Sequence, residues 1–109
     1  MACDRGNSSV GYLNDPFHPA VLTLIHHTIE KGHENSIWVG MCGEMAGHPL
    51  AIPLLVGMGI DELSMASSSV PRAKQIVRSV NSRSAADIWS RVRKLSDAEQ
   101  VRAYLESVR

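Results

Sequence analysis

The chain has little net charge, few cysteines and no long apolar run, and each shortage removes a class of function. Eleven basic and eleven acidic residues cancel in 109 positions. No whole-molecule field would therefore steer it onto nucleic acid or an anionic membrane. Only two cysteines occur, Cys3 and Cys42, far apart in sequence, so a disulfide framework is not indicated and a Cys3–Cys42 bridge is the minor reading. The chain opens Met-Ala-Cys-Asp-Arg with no apolar stretch long enough for a signal peptide or a membrane span. A reduced, cytoplasmic protein is the expectation. Repeats, low-complexity tracts and long linkers are also missing. A chain this short fits one domain at most and buries roughly two-thirds of its unfolded surface, so the expected core is modest.

What is present organises itself around Gly40-Met41-Cys42-Gly43-Glu44, at the end of an apolar run and just before a helical pattern. Glycines flanking a cysteine at a strand-to-helix turn let backbone and ligand approach closely. Such turns are where α/β proteins keep their chemistry.

Residues 1–17 are rich in Gly, Asn, Asp and Ser and read as irregular loop, with one charged constellation, Asp4-Arg5-Gly6-Asn7. His18-Pro19 opens a helix in which Val21, Leu22, Ile25 and Ile29 share an apolar face, with Gly32 as the expected stop. His26, His27 and His33 invite a metal reading. Adjacent helical residues diverge by about 100°, and no paired Cys or acidic ligand has zinc-site spacing, so solvated or packed histidines are the better reading.

Ser36 to Met41 reads as a parallel strand covered on both faces, through Ile37, Trp38 and Val39. His48 to Met58 is nearly all apolar and reads as a buried helix, with Pro49 in its first turn and Pro53 bending it slightly. Gly57-Met58-Gly59 stops it, and Ile60 to Ala66 gives a second strand. Ser67-Ser68-Ser69 caps a helix from Val70-Pro71-Arg72 to about Val80, with Ala73, Ile76, Val77 and Val80 inward. An ordinary cap is preferred there over an anion site. Ser84 to Leu95 forms a further helix with Ala85, Ile88, Trp89 and Val92 on one side, and Arg91, Arg93 and Lys94 on a solvated face. Ser96 with Glu99 reads as the capping box of a last helix striped by Val101, Leu105 and Val108.

Strands alternating with helices mean parallel strands joined by right-handed crossovers. Two such strands alone leave open edges, so the α/β chain reads as the end of a larger fold and is expected to associate through those edges.

Asp4-Arg5-Gly6-Asn7, the segment Gly40 to Gly47, Gly57-Met58-Gly59-Ile60-Asp61-Glu62-Leu63-Ser64-Met65 and Val70-Pro71-Arg72, taken together, resemble enzyme I of the bacterial sugar phosphotransferase system, the phosphoenolpyruvate-protein phosphotransferase family. The resemblance covers nearly the whole chain and matches the C-terminal portion of that longer enzyme. It implies that residues 1–109 are the end of a phosphoenolpyruvate-binding (β/α)8 TIM barrel: helix, strand seven, helix, strand eight and terminal helices. It also implies transfer of phosphate from phosphoenolpyruvate to an enzyme histidine and on to a histidine-containing phosphocarrier protein, with Mg²⁺ as cofactor and a homodimer contact. Residue by residue, Cys42 matches the proton donor and Arg5 a substrate-contacting arginine, while Gly40 and Gly43 would keep the turn open. The phosphohistidine, the Mg²⁺ ligands and the other substrate arginines lie upstream in the family, none of the five histidines here matches the phosphoacceptor, and the isolated chain is expected to be inactive. Two other readings stand beside this one: a non-catalytic dimerisation or regulatory module derived from the barrel, and a relative of pyruvate phosphate dikinase or phosphoenolpyruvate synthase.

Overall fold

The computed structural model describes residues 15–108. Along them run α1 (Pro19–Glu34), β1 (Gly40–Cys42), a 3-10 turn (Glu44–Gly47), α2 (Ala51–Met58), β2 (Glu62–Ser64), a second 3-10 turn (Ser67–Ser69), α3 (Val70–Ser79), α4 (Ser82–Val92) and α5 (Ala98–Ser107). The architecture is α/β and mostly helical. β1 and β2 pair in parallel, Gly40 with Glu62, Met41 with Leu63 and Cys42 with Ser64, and α2 is the crossover between them.

α2 is the core of the molecule. Ala51, Ile52, Leu54 and Leu55 are wholly enclosed and Met58 nearly so, as expected of a helix apolar all round. Its sequence permits one unusually close approach: a Cβ built on Gly57 would lie 2.0 Å from the Ala85 carbonyl oxygen of α4. The rest of the core gathers on this pair, with Leu22 and Ile29 from α1, Trp89 and Val92 from α4, and Val101 and Leu105 from α5. Phe17 joins it from the entering chain. Arg102 holds that segment in place, with its guanidinium 4.9 Å from the centre of the Phe17 ring and 2.7 Å from Asp15 Oδ1.

Helix ends follow local chemistry and several depart from the sequence reading; α4 runs Ser82–Val92 rather than Ser84 to Leu95, because Asn81 caps it, its Oδ1 accepting Arg83 N–H at 2.8 Å. α1 begins as expected: His18 is its N-cap, Nδ1 accepts the Ala20 N–H at 3.1 Å, and Pro19 stands at the first helical position. It does not stop at Gly32 but runs to Glu34, and Ser36 takes the left-handed conformation (φ 60°) while Ile37 N–H donates to Gly32 O and Ser36 N–H to His33 O. Gly32 is needed for another reason, since a Cβ there would come within 2.5 Å of Val39 Cγ2. The last helix is capped by Asp97, whose Oδ1 accepts Gln100 N–H at 2.8 Å, while Ser96 donates through N–H and Oγ to the Gln100 side chain. The capping pair thus sits one residue later than Ser96 and Glu99. Ser69 precedes α3 without a side-chain cap bond, because the serines are wound into their own 3-10 turn.

The strands are shorter than the apolar runs. β1 starts only at Gly40, and Ile37 and Trp38 stand 61% and 64% exposed rather than covered. Among the described residues the sheet has two strands, and none covers them. β2 occupies three residues of the expected seven, and α2 starts at Ala51, after a turn in which His48 Nδ1 accepts Leu50 N–H. Pro53 therefore falls in the first turn of α2, where a missing N–H costs little. Val77, expected inward, is 42% exposed, because α3 buries only Ala73 fully.

Two predictions arise from this packing. Gly57→Ala would drive a methyl group into the Ala85 backbone, and urea unfolding should register a loss of about 3 kcal/mol, the upper range for overpacking in a core. Asp61 supplies the second. The hydrogen bond from His33, followed by that from the Val39 amide, holds its carboxyl below the ordinary 3.8. A depressed carboxyl contributes stability that is fully present above its unfolded value and is lost as pH falls through the folded one. The stability difference between the native chain and Asp61→Asn, followed by denaturant unfolding at successive pH values, should be constant near neutrality, begin to fall as pH approaches the ordinary carboxyl value of about 4, and vanish only below the lowered folded value.

Candidate functional site

Cys42 and Ser64 are the last residues of β1 and β2, opposite each other in the parallel register. Beyond them the chain opens into a cleft of about 520 Å³ whose walls include Cys42, Gly43, Glu44, Ser64, Ala66 and Ser69. In α/β proteins the carboxyl ends of parallel strands are where ligands bind, because the loops there diverge and leave backbone groups free.

The thiol is held from two sides. Upstream, β1 is paired to β2. Downstream, Gly43 has φ 98° and ψ −169°, a conformation open essentially to glycine alone, and nothing lies within 4 Å of the place a Cβ would take. The chain then tightens into the 3-10 turn, which buries Met45 and Ala46 in the core and so anchors the floor of the cleft. Cys42 itself is exposed and carries a free thiol. Glu44, at the head of the turn, is exposed as well. Gly40 opens β1 rather than the turn, and a Cβ there would make only ordinary contacts, the nearest to Glu62 Cβ at 3.4 Å.

Arg5 and Cys3 lie outside the described residues, as does the Asp4-Arg5-Gly6-Asn7 constellation. Among the described residues no three or more His, Cys, Asp or Glu side chains converge on a metal position. His26 pairs with Glu30 at 2.9 Å and lies 4.9 Å, centre to centre, from the Trp89 ring. His33 pairs with Asp61 at 2.6 Å, and the His48 and Phe17 rings pack in a T-shape, 5.1 Å between centres. No helix among the described residues is long and apolar enough to cross a membrane.

Ser64 and Ser69 also line the cleft, and neither stands out as a site residue in the sequence. Ser64 was visible only as part of a matching segment, and Ser69 read as a helix cap. The signal that could have found Ser64 is its place near the end of the Ile60 to Ala66 strand, which runs parallel to the Ser36 to Met41 strand that leads into Cys42. A second groove, about 460 Å³, lies between α2, α3, α4 and α5 and includes Arg72, Ile76, Ile88 and Leu105. Among the described residues its lining includes no thiol or carboxylate, whereas the strand-end cleft has the Cys42 thiol and the Gly43 turn.

The geometry is that of an α/β protein with a thiol-bearing cleft at the ends of parallel strands. Comparison with known proteins specifies it further. The family model described as PEP-utilising enzyme, PEP-binding domain, matches residues 1–82, and the chain belongs to that family. It is 47% identical over 106 residues to the phosphoenolpyruvate-protein phosphotransferase of Mycoplasma pneumoniae, covering 97% of this chain and 18% of that protein. The Bacillus subtilis protein of the same name is 42% identical over 106 residues, 97% of this chain and 19% of its own length. That of Haemophilus influenzae is 51% identical over 81 residues, 74% and 14% respectively. The chain thus spans less than a fifth of the curated relatives it matches.

The turn yields its own prediction. Gly43→Ala places a side chain where the backbone does not accept one, which should lower stability by about 1–3 kcal/mol and change the rate at which iodoacetamide alkylates Cys42 in a Cys3→Ser background. An unchanged alkylation rate would show that the turn does not present the thiol.

Proposed function

We propose that residues 1–109 are the end of a phosphoenolpyruvate-binding (β/α)8 barrel, with β1 and β2 as its seventh and eighth strands, in an enzyme that transfers the phosphoryl group of phosphoenolpyruvate to a histidine and on to a phosphocarrier protein. The observation that carries the reading is Cys42, exposed at the carboxyl end of a parallel strand beside the Gly43 turn. Among the described residues both edges of the two-stranded sheet are open, and this, with the exposed Ile37 and Trp38, fits a sheet that continues in further barrel strands.

Within that reaction this chain's contribution is protonation. When the bond between phosphorus and the enol oxygen breaks, the electron pair stays on that oxygen and the resulting enolate must gain a proton at carbon three. Cys42 gives it from Sγ, yielding pyruvate and a thiolate that is reprotonated before the next turnover. A thiol suits the task, since it carries a proton that can be given to carbon and its thiolate takes one back from solvent. Arg5 would pair with the substrate's carboxylate or phosphate through its planar guanidinium. The family resemblance implies Mg²⁺, but the described residues do not form a metal site, and no step here is assigned to it. The ligands and the phosphohistidine belong to the part of the enzyme upstream of this chain. A cytoplasmic location and a homodimer follow from the same reading.

The test is a full-length graft, in which this chain replaces the matching segment of the Bacillus subtilis relative. The graft should form pyruvate from phosphoenolpyruvate, and Cys42→Ala should slow it by about 10²–10⁴-fold, the usual weight of a general acid. Arg5→Lys should raise KM for phosphoenolpyruvate about tenfold or more. Full turnover by the Cys42→Ala graft would overturn the assignment. The separate 109-residue chain should show no turnover of phosphoenolpyruvate.

A further inference from the structure

The pairing that sets Cys42 opposite Ser64 is poorly specified by the strands themselves. Each has three residues, only the central Met41 and Leu63 are even half-buried, and the two make up the whole described sheet. Register is fixed by a buried face, and a short strand exposed on both sides is prone to slip. A slip of one residue would turn the Cys42 side chain to the opposite face of the sheet and out of the cleft.

One carboxylate stands where such a slip would begin. Asp61 immediately precedes β2 and Val39 immediately precedes β1. Asp61 N–H donates to Val39 O at 3.0 Å, and Val39 N–H donates back to Asp61 Oδ2 at 2.8 Å. The same oxygen accepts from His33 Nε2 at 2.6 Å. The side chain satisfies the Val39 amide on the side of β1 that faces β2, and Oδ2 joins α1, β1 and β2 at a single atom. An alternative register would leave that amide and the carboxylate without each other. Charge-assisted bonds of this kind are about twice as strong as neutral ones.

We propose that Asp61 is a positioning residue for the cleft: by bridging His33 and the Val39 amide it locks the β1–β2 register that places Cys42 opposite Ser64. Its bearing on catalysis rests on the reading of Cys42 as proton donor; the lock itself does not.

The experiment is amide hydrogen exchange on the 109-residue chain, resolved by segment, with the iodoacetamide rate of Cys42 measured in the Cys3→Ser background. Asp61→Ala should raise exchange in residues 39–42 and 62–64 about tenfold or more, leave α4 and α5 near their native rates, and alter the alkylation rate. His33→Ala, removing one of the two ties, should give a smaller change in the same segments. Asp61→Asn keeps an acceptor for the Val39 amide and should restore most of the protection. Unchanged exchange at the strands in Asp61→Ala, or an increase shared equally with α4 and α5, would overturn the proposal. If Asp61→Ala does not fold, His33→Ala decides: unaltered strand exchange in that variant would overturn it too. Because neither readout involves phosphoenolpyruvate, the lock survives failure of the proton-donor reading, and the grafted Cys42→Ala enzyme tests that reading separately.

Discussion

The contact on which the rest of this structure depends is the one between α2 and α4 at Gly57, where a missing side chain lets one helix rest on the Ala85 backbone of the other. Close approach of two helices removes the void that larger side chains would have to fill, and protein interiors tolerate few voids. With α2 seated this way its apolar surface is enclosed by residues from α1, α4 and α5. A chain of this size has no second core to fall back on.

α2 is also the crossover between the strands, so its seating determines where they lie. β1 enters it through the 3-10 turn, and β2 leaves it after Gly59 turns left-handed (φ 91°), with Gly59 and Ile60 amides donating back to Val56 and Leu55. The strands are short and exposed, yet their carboxyl ends open onto one cleft. The core and the cleft are held by different residues: enclosed apolar side chains hold α2, while Gly43, Asp61 and the paired strand backbone hold Cys42 in position.

Much of this was legible in the chain itself. The order of helices and strands, the buried character of Leu50 to Met58, the inward faces of α1 and α4 and the prominence of the Cys42 turn all follow from periodicity and glycine placement, which are local properties. Element ends were less legible. Asp97 displaced Ser96 as cap, and Ser36 rather than Gly32 closed α1, because adjacent polar residues compete for the same backbone groups and only the packed geometry selects among them. Ile37 and Trp38 read as covered because an apolar run states a preference for burial without stating whether anything is there to bury it. Arg5, which resemblance pairs with the same site, lies outside the described residues.

By itself, then, the amino-acid order determined the fold class, the apolar faces, the cysteine with its glycine-formed turn and, through motif resemblance, the family. Tertiary structure alone decided the close seating of α2 on α4, the register that sets Cys42 against Ser64, and the convergence of His33 and Val39 on Asp61, 28 and 22 residues away in the chain. The physical reason is range. Propensity, periodicity and capping act within a few residues, whereas steric fit between helices and hydrogen bonds across the chain exist only once distant segments have been brought together.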